Sequence, residues 1–209
     1  MARRVSDPRG RRTNRSKKTE RIPTKDALAS MIKACSLKTR AAVLLLATSG
    51  IRVGELVRLT LSDLDLSQYP PTIRVRNAIH PRKWRISFIT GEAKRAVQSY
   101  LDQRADRGEE LSADSPVFAY ESGSSMTPQA MVSMIRRAFE SAGVRGQRMR
   151  LESQVLRRWF KRQLIGAGTP KKIVDFLVGH SRHSRPPEDE VKRWYAKAIP
   201  LLTLSHPAA

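Results

Sequence analysis

Apolar residues recur at helical spacing through most of the chain. In "PTKDALASMIKA", Leu28, Met31, Ile32 and Cys35 fall three or four apart, along one face of a helix, and Thr24 stands where a side-chain oxygen can cap the first turn. The run from 38 to 48 is rich in leucine and reads as a buried helix, which Gly50 stops. "IRVGELVRLTLSDLDL" follows as a short helix and polar turns. Further helices are expected at about 91–104, 128–142, 151–165, 170–178 and 188–199, two of them opening on the same start, Thr127-Pro128 and Thr169-Pro170. Only "TIRVRN" and "KWRISFI" alternate with β-branched or aromatic residues, and "AIHPR" between them suits a hairpin-like connection. The expected fold is therefore mainly α, of the α+β kind: a helical domain with one small antiparallel sheet.

The pattern also divides the chain. Residues 1–22 hold Arg9, Arg11, Arg12, Lys17 and Lys18 among other basic residues and almost no apolar ones, so by themselves they cannot offset the entropy of ordering. They are expected to form a disordered basic arm that binds DNA, followed by a domain at 23–200 and a tail at 201–209. In "AIPLLTL" at 198–204, Ile199, Leu201, Leu202 and Leu204 either pack on their own core or form an apolar patch for another protomer.

Composition narrows the function. The 209 residues, 40% of them hydrophobic, can fill one core with extensions. A formal charge of +21, from 40 Lys and Arg against 19 Asp and Glu, repels itself unless a polyanion lies against the surface, and nucleic acid is the first expectation. Cys35 is the sole cysteine, which excludes an internal disulfide and a paired-cysteine zinc site and suits a reducing interior. The longest apolar run, at 41–47, is too short to cross a bilayer, and Pro8, Gly10 and Asn14 oppose an amphipathic membrane helix in the arm. A cytoplasmic, DNA-associated protein is the expectation.

Three places carry candidate chemistry. "TSGIRVGEL" sets Arg52 and Glu55 three apart on one helical turn, where a carboxylate can hold a guanidinium in one orientation; an ordinary surface ion pair has the same spacing. "SQVLRRWFKRQLIGAGTPKKIVDFLVGH" runs from Arg157 through a Gly-rich turn to Gly179-His180, which a plain helical hairpin with a basic face would also do. Tyr195 follows among Lys192, Arg193, Trp194 and Lys197, and tyrosines so placed commonly cap a core with the ring while the hydroxyl meets water.

Taken together, these segments are similar to the catalytic domain of the tyrosine recombinases, the phage-integrase family. "TSGIRVGELVRLTLSDLDL" resembles its first arginine box, close to T-G-x-R-x-x-E-L-x-x-L-x-x-x-D, and "QVLRRWFKRQLIGAGTPKKIVDFLVGH" resembles its second, H-x-L-R through L-G-H. Tyr195 falls where the family keeps its nucleophile, and the likeness covers about residues 22–200. The resemblance implies a site-specific DNA recombinase that breaks and rejoins duplex DNA through a 3′-phosphotyrosyl intermediate. Arg52 and Arg157 would clamp the non-bridging oxygens, His180 would add a hydrogen bond, Glu55 would support the site and Tyr195 would attack. Bond energy is stored in the link, so no metal or other cofactor is implied, and a homotetramer on paired sites is.

The chain also departs from the family. Gln154 stands at the second box's histidine, and an amide donates a hydrogen bond but cannot exchange a proton near neutral pH. The general acid expected on the sheet falls to Lys83, with His80 as the alternative, and the family's glycine-lysine-glycine turn is missing. The link from His180 to Tyr195 is longer than usual. Residues 1–22 are too few for the separate DNA-clamping domain that usually precedes this one, which leaves a fragment or a minimal enzyme. Two other functions stay open: a catalytically weak or silent DNA-binding protein of the same fold, and a topoisomerase-like relaxase.

Overall fold

Helix α2 (Leu37–Ser49) is the axis on which the other elements assemble. In the computed structural model, residues 22–76, 84–143, 152–180 and 185–205 are described. Helix α1 (Lys25–Ala34) opens as its sequence predicts, with Thr24 Oγ1 accepting from Ala27 N–H at 3.2 Å, and buries Leu28, Met31 and Ile32. Every residue from Ala41 to Ser49 is buried, because α1, α4, α5 and α6 surround α2 and the sheet closes its C-terminal end. Gly50 stops the helix at φ 64°, and a β-carbon there would lie 2.1 Å from Phe160 Cδ1, so both the left-handed turn and the packing require glycine.

The short helix α3 (Val53–Leu56) follows, then a 3-10 turn at Leu61–Asp63 and strand β1 (Leu64–Asp65). β1 pairs antiparallel with β2 (Thr72–Arg76), and β2 with β3 (Trp84–Phe88), in the order β1-β2-β3. The two longer strands are those the alternation indicates; β1 is too short to show one. Helices α4 (Gly91–Asp106), α5 (Pro128–Ser141), α6 (Glu152–Gly166), α7 (Lys171–Leu177) and α8 (Glu188–Leu202) complete the fold, a mostly helical domain with one small antiparallel sheet.

Two helix boundaries differ from expectation. At α5, Thr127 caps and Pro128 is the first helical residue, but at α7 the cap is Pro170 itself, with no side-chain bond, and Thr169 is buried before it. Helix α8 runs through Pro200 to Leu202, so the boundary drawn at 200 falls inside a helix. Its end packs on this chain. Leu202 and Leu204 are buried, Glu92 accepts the N–H groups of Leu204 (2.8 Å) and Ser205 (2.9 Å), and Leu201 alone of the four apolar residues is exposed. Among the described residues no helix is long and apolar enough to cross a membrane.

Candidate active site

The end of α2 leaves backbone carbonyls without helical partners, and three elements supply donors to them. Tyr195 Oη on α8 donates to the Thr48 carbonyl (2.8 Å), Ser87 Oγ on β3 to that of Ser49 (2.8 Å), and Arg157 Nη1 on α6 to that of Gly50. Arg157 Nη2 also donates to the Val178 carbonyl, so one buried guanidinium ties α2 to the end of α7. Burial first, then the charges of Arg52 and Arg85, bring its pKa down to about 10 against the pull of Glu55. It stays a cation at neutral pH.

Arg52 starts α3 two residues beyond Gly50. Its backbone N–H donates to Glu55 Oε2 (2.7 Å), which closes the first turn, while its Nη1 is 3.4 Å from Oε1 and its side chain is 51% exposed. A stronger partner holds Glu55 from the other side. Arg85 on β3 donates Nη1 to Oε1 and Nη2 to Oε2, each at 3.0 Å. Burial would push the Glu55 carboxyl up, but the charge and hydrogen bonds of Arg85, with the bond and charge of Arg52, hold it below the ordinary carboxylate range.

His180 is set by the turn that ends α7. Gly179 takes φ 67°, its N–H donates to the Phe176 carbonyl (2.9 Å), and His180 N–H donates to that of Asp175 (2.8 Å). Burial, then the charges of Arg157, Lys161 and Arg52, lower the imidazole pKa, so His180 is predominantly neutral near pH 7 and can donate one hydrogen bond.

Arg52, Arg157 and His180 meet in one cleft of about 400 Å³, with Val53, Gln154, Arg158 and Lys161 as its remaining lining. Gln154 is exposed on the cleft face of α6. Glu55 supports Arg52 from below and does not line the cleft. Lys83 and His80 lie outside the described residues, as do Arg9, Arg11, Arg12, Lys17 and Lys18.

The structure does not bring Tyr195 to this cleft. Its side chain is 0% exposed, its ring lies 5.3 Å from that of Phe88 and 6.5 Å from that of Phe160, and its hydroxyl is spent on Thr48. Burial raises its pKa well above the ordinary value, against the Thr48 bond and with a further push from Tyr69. In this conformation Tyr195 is a core residue that pins the end of α2. Sequence reasoning also missed Arg158, Lys161 and Arg85. The first two follow Gln154 at four and seven residues and were legible as one helical face. Arg85 had no such signal, because its partner is thirty residues away in the chain.

The phage integrase family model matches residues 21–186. The chain belongs to that family. It is similar to tyrosine recombinase XerC of Pseudomonas aeruginosa, 32% identical over 134 residues, 64% of this chain and 41% of that protein. It is also similar to tyrosine recombinase XerD of Caulobacter vibrioides, 27% identical over 189 residues, 86% of this chain and 58% of the relative. The match thus spans about half the length of these relatives. Among solved structures, XerA recombinase superposes with a TM-score of 0.68 at 25% identity, covering 84% of this chain and 64% of that one. The integrase from mycobacterium phage Brujita shares the fold, with a TM-score of 0.63 at 20% identity over 93% and 62%. This family member therefore carries the two arginine boxes of the resemblance folded into one cleft, with its last tyrosine held elsewhere.

Proposed function

We propose that this chain is the catalytic domain of a site-specific DNA recombinase, which cleaves and rejoins duplex DNA through a 3′-phosphotyrosyl link on Tyr195. The observation that supports it is the convergence of Arg52, Arg157 and His180, from three separate elements, on one open cationic cleft. A phosphodiester there meets the half-exposed guanidinium of Arg52 and the donors Arg157 has left after its two carbonyl bonds, while neutral His180 adds a hydrogen bond. As the tyrosine oxygen bonds to phosphorus and the bond to the 5′-oxygen breaks, charge grows on the non-bridging oxygens, where these fixed donors act most strongly. The phenol gives its proton to the free ring nitrogen of neutral His180 or to water, and the departing 5′-oxygen gains one from an acid. Gln154 hydrogen-bonds but transfers no proton, and the acid is Lys83, at the family's place for a lysine on the sheet, with His80 or the cleft's Lys161 as alternatives.

For this step α8 must leave its seat, because Tyr195 attacks only when its hydroxyl leaves Thr48. The likeness to the tyrosine recombinases XerC and XerD supports recombination. The partners in this account are double-stranded DNA, with the basic arm on flanking phosphates, and further copies of the chain, up to a tetramer on paired sites. The protein acts in the cytoplasm on DNA and takes no cofactor. Fluorescence anisotropy with a labelled duplex tests the docking: Arg157→Ala and Arg52→Ala should each weaken binding, and unchanged affinity in both would remove the cleft from the DNA interface.

A second reading is favoured by the buried Tyr195: the cleft docks a phosphodiester and the chain never cuts it. A nicked duplex that traps covalent protein separates the two. Adduct supports the recombinase, and tight binding with none supports the silent DNA-binding protein.

A further inference from the structure

Glu55 sits between two arginines that compete for it. Arg85 takes both carboxylate oxygens at 3.0 Å in the fork geometry that suits a guanidinium, and the pair is well enclosed, 14% and 10% exposed. Arg52 keeps one long contact of 3.4 Å and stays half in solvent. Arg85 Nε also donates to the Leu177 carbonyl (3.3 Å), and its Cζ would lie 3.1 Å from a β-carbon at Gly179. One strand residue therefore touches Glu55 on α3 and the turn that presents His180.

We infer that Arg85 is a positioning residue that occupies the Glu55 carboxylate and so leaves Arg52 free to take up a phosphate. This role presupposes the proposed docking of a phosphodiester in the cleft. Without Arg85, both oxygens of Glu55 turn to the nearest remaining cation, which is Arg52, three residues away on the same turn. An incoming phosphate would then have to displace a carboxylate. With Arg85 present, the carboxylate is satisfied, and its oxygen Oε2 still closes the turn through the Arg52 N–H.

The test uses inorganic phosphate as the probe and NMR of the Arg52 guanidinium and His180 imidazole in the full chain as the readout. Arg85→Ala should weaken phosphate binding roughly tenfold, the scale of one charge-assisted bond. Arg85→Ala combined with Glu55→Gln should recover most of it, since the amide keeps an oxygen for the Arg52 N–H but no longer competes as a charge. Glu55→Gln alone should bind phosphate at least as tightly as the unaltered protein, which keeps the test available if Arg85→Ala does not fold. Equal weakness in the single and double variants, or weaker binding in Glu55→Gln, overturns the proposal, because either would mean that Arg85 supports the fold and not the availability of Arg52. Absence of any phosphate response at Arg52 and His180 also overturns it. If phosphate behaves as expected while duplex DNA does not bind, the role of Arg85 stands and the recombinase reading fails.

Discussion

Tyr195→Phe distinguishes a waiting nucleophile from a structural pin. A tyrosine poised in the cleft would lose only its reactivity, since the ring and its packing are kept. In this fold the hydroxyl fills a second role, donating to a carbonyl at the exit of α2, in a site with no exposure to water. Removing it leaves the Thr48 oxygen buried without this donor, at a cost of about 1–3 kcal/mol. The rings of Phe88 and Phe160 keep their neighbour, so no cavity adds to this. For a domain of this size the loss corresponds to a fall in Tm of roughly 3–9 °C. Urea unfolding followed by circular dichroism should show the midpoint lowered with an unchanged slope. Equal midpoints for the two proteins would refute the reasoning, because they would mean that the hydroxyl is hydrated and α8 is not seated as described.

Gly50→Ala should be destabilising by roughly 2–5 kcal/mol, since a left-handed residue and an overpacked contact with Phe160 add together, and the same urea titration measures it. Leu204→Ala should cost about 2–5 kcal/mol in the isolated chain, which thermal unfolding checks; a loss seen only in assemblies would put this segment on a neighbour instead. Glu55 and His180 both have folded pKa values below their unfolded ones, so each contributes stability that is present above its unfolded value and lost as pH falls through its folded one. Binding of duplex DNA, whose phosphodiesters keep their single charge here, should move the other way and strengthen as pH falls through the lowered pKa of His180, because protonated His180 becomes a cation beside the anion; titrating affinity against pH checks the sign.

Much of the scaffold was legible because it is written in local chemistry. Thr24 and Thr127 cap the helices they precede, Gly50 turns where the apolar run ends, and the alternation of β2 and β3 marks the sheet. Arg52, Arg157 and His180 were legible as a set through the family's spacing, although nothing local says that three elements bring them together. What sequence could not show depends on contacts far apart in the chain. Ser87 meets Ser49, Arg85 meets Glu55 and Tyr195 meets Thr48 across 38, 30 and 147 residues. The fate of Tyr195 illustrates the difference: its position after the second box suggests a nucleophile, whereas its packing is that of a core residue bonded to a helix end. For Leu202 and Leu204 own-core packing and an apolar patch were equally open in the sequence, and contact with Glu92 and the core decides for the first.

The most direct test of the recombinase reading is to incubate the protein with a nicked duplex that traps the cleaved strand, digest the product and locate the attached nucleotide by mass spectrometry. The account predicts an adduct on Tyr195, absent in Tyr195→Phe and suppressed in Arg52→Ala and Arg157→Ala. Tyr69, Tyr100 and Tyr120 are internal controls in the same digest. A nucleotide on one of those three, or tight duplex binding with no adduct on any tyrosine, would contradict it.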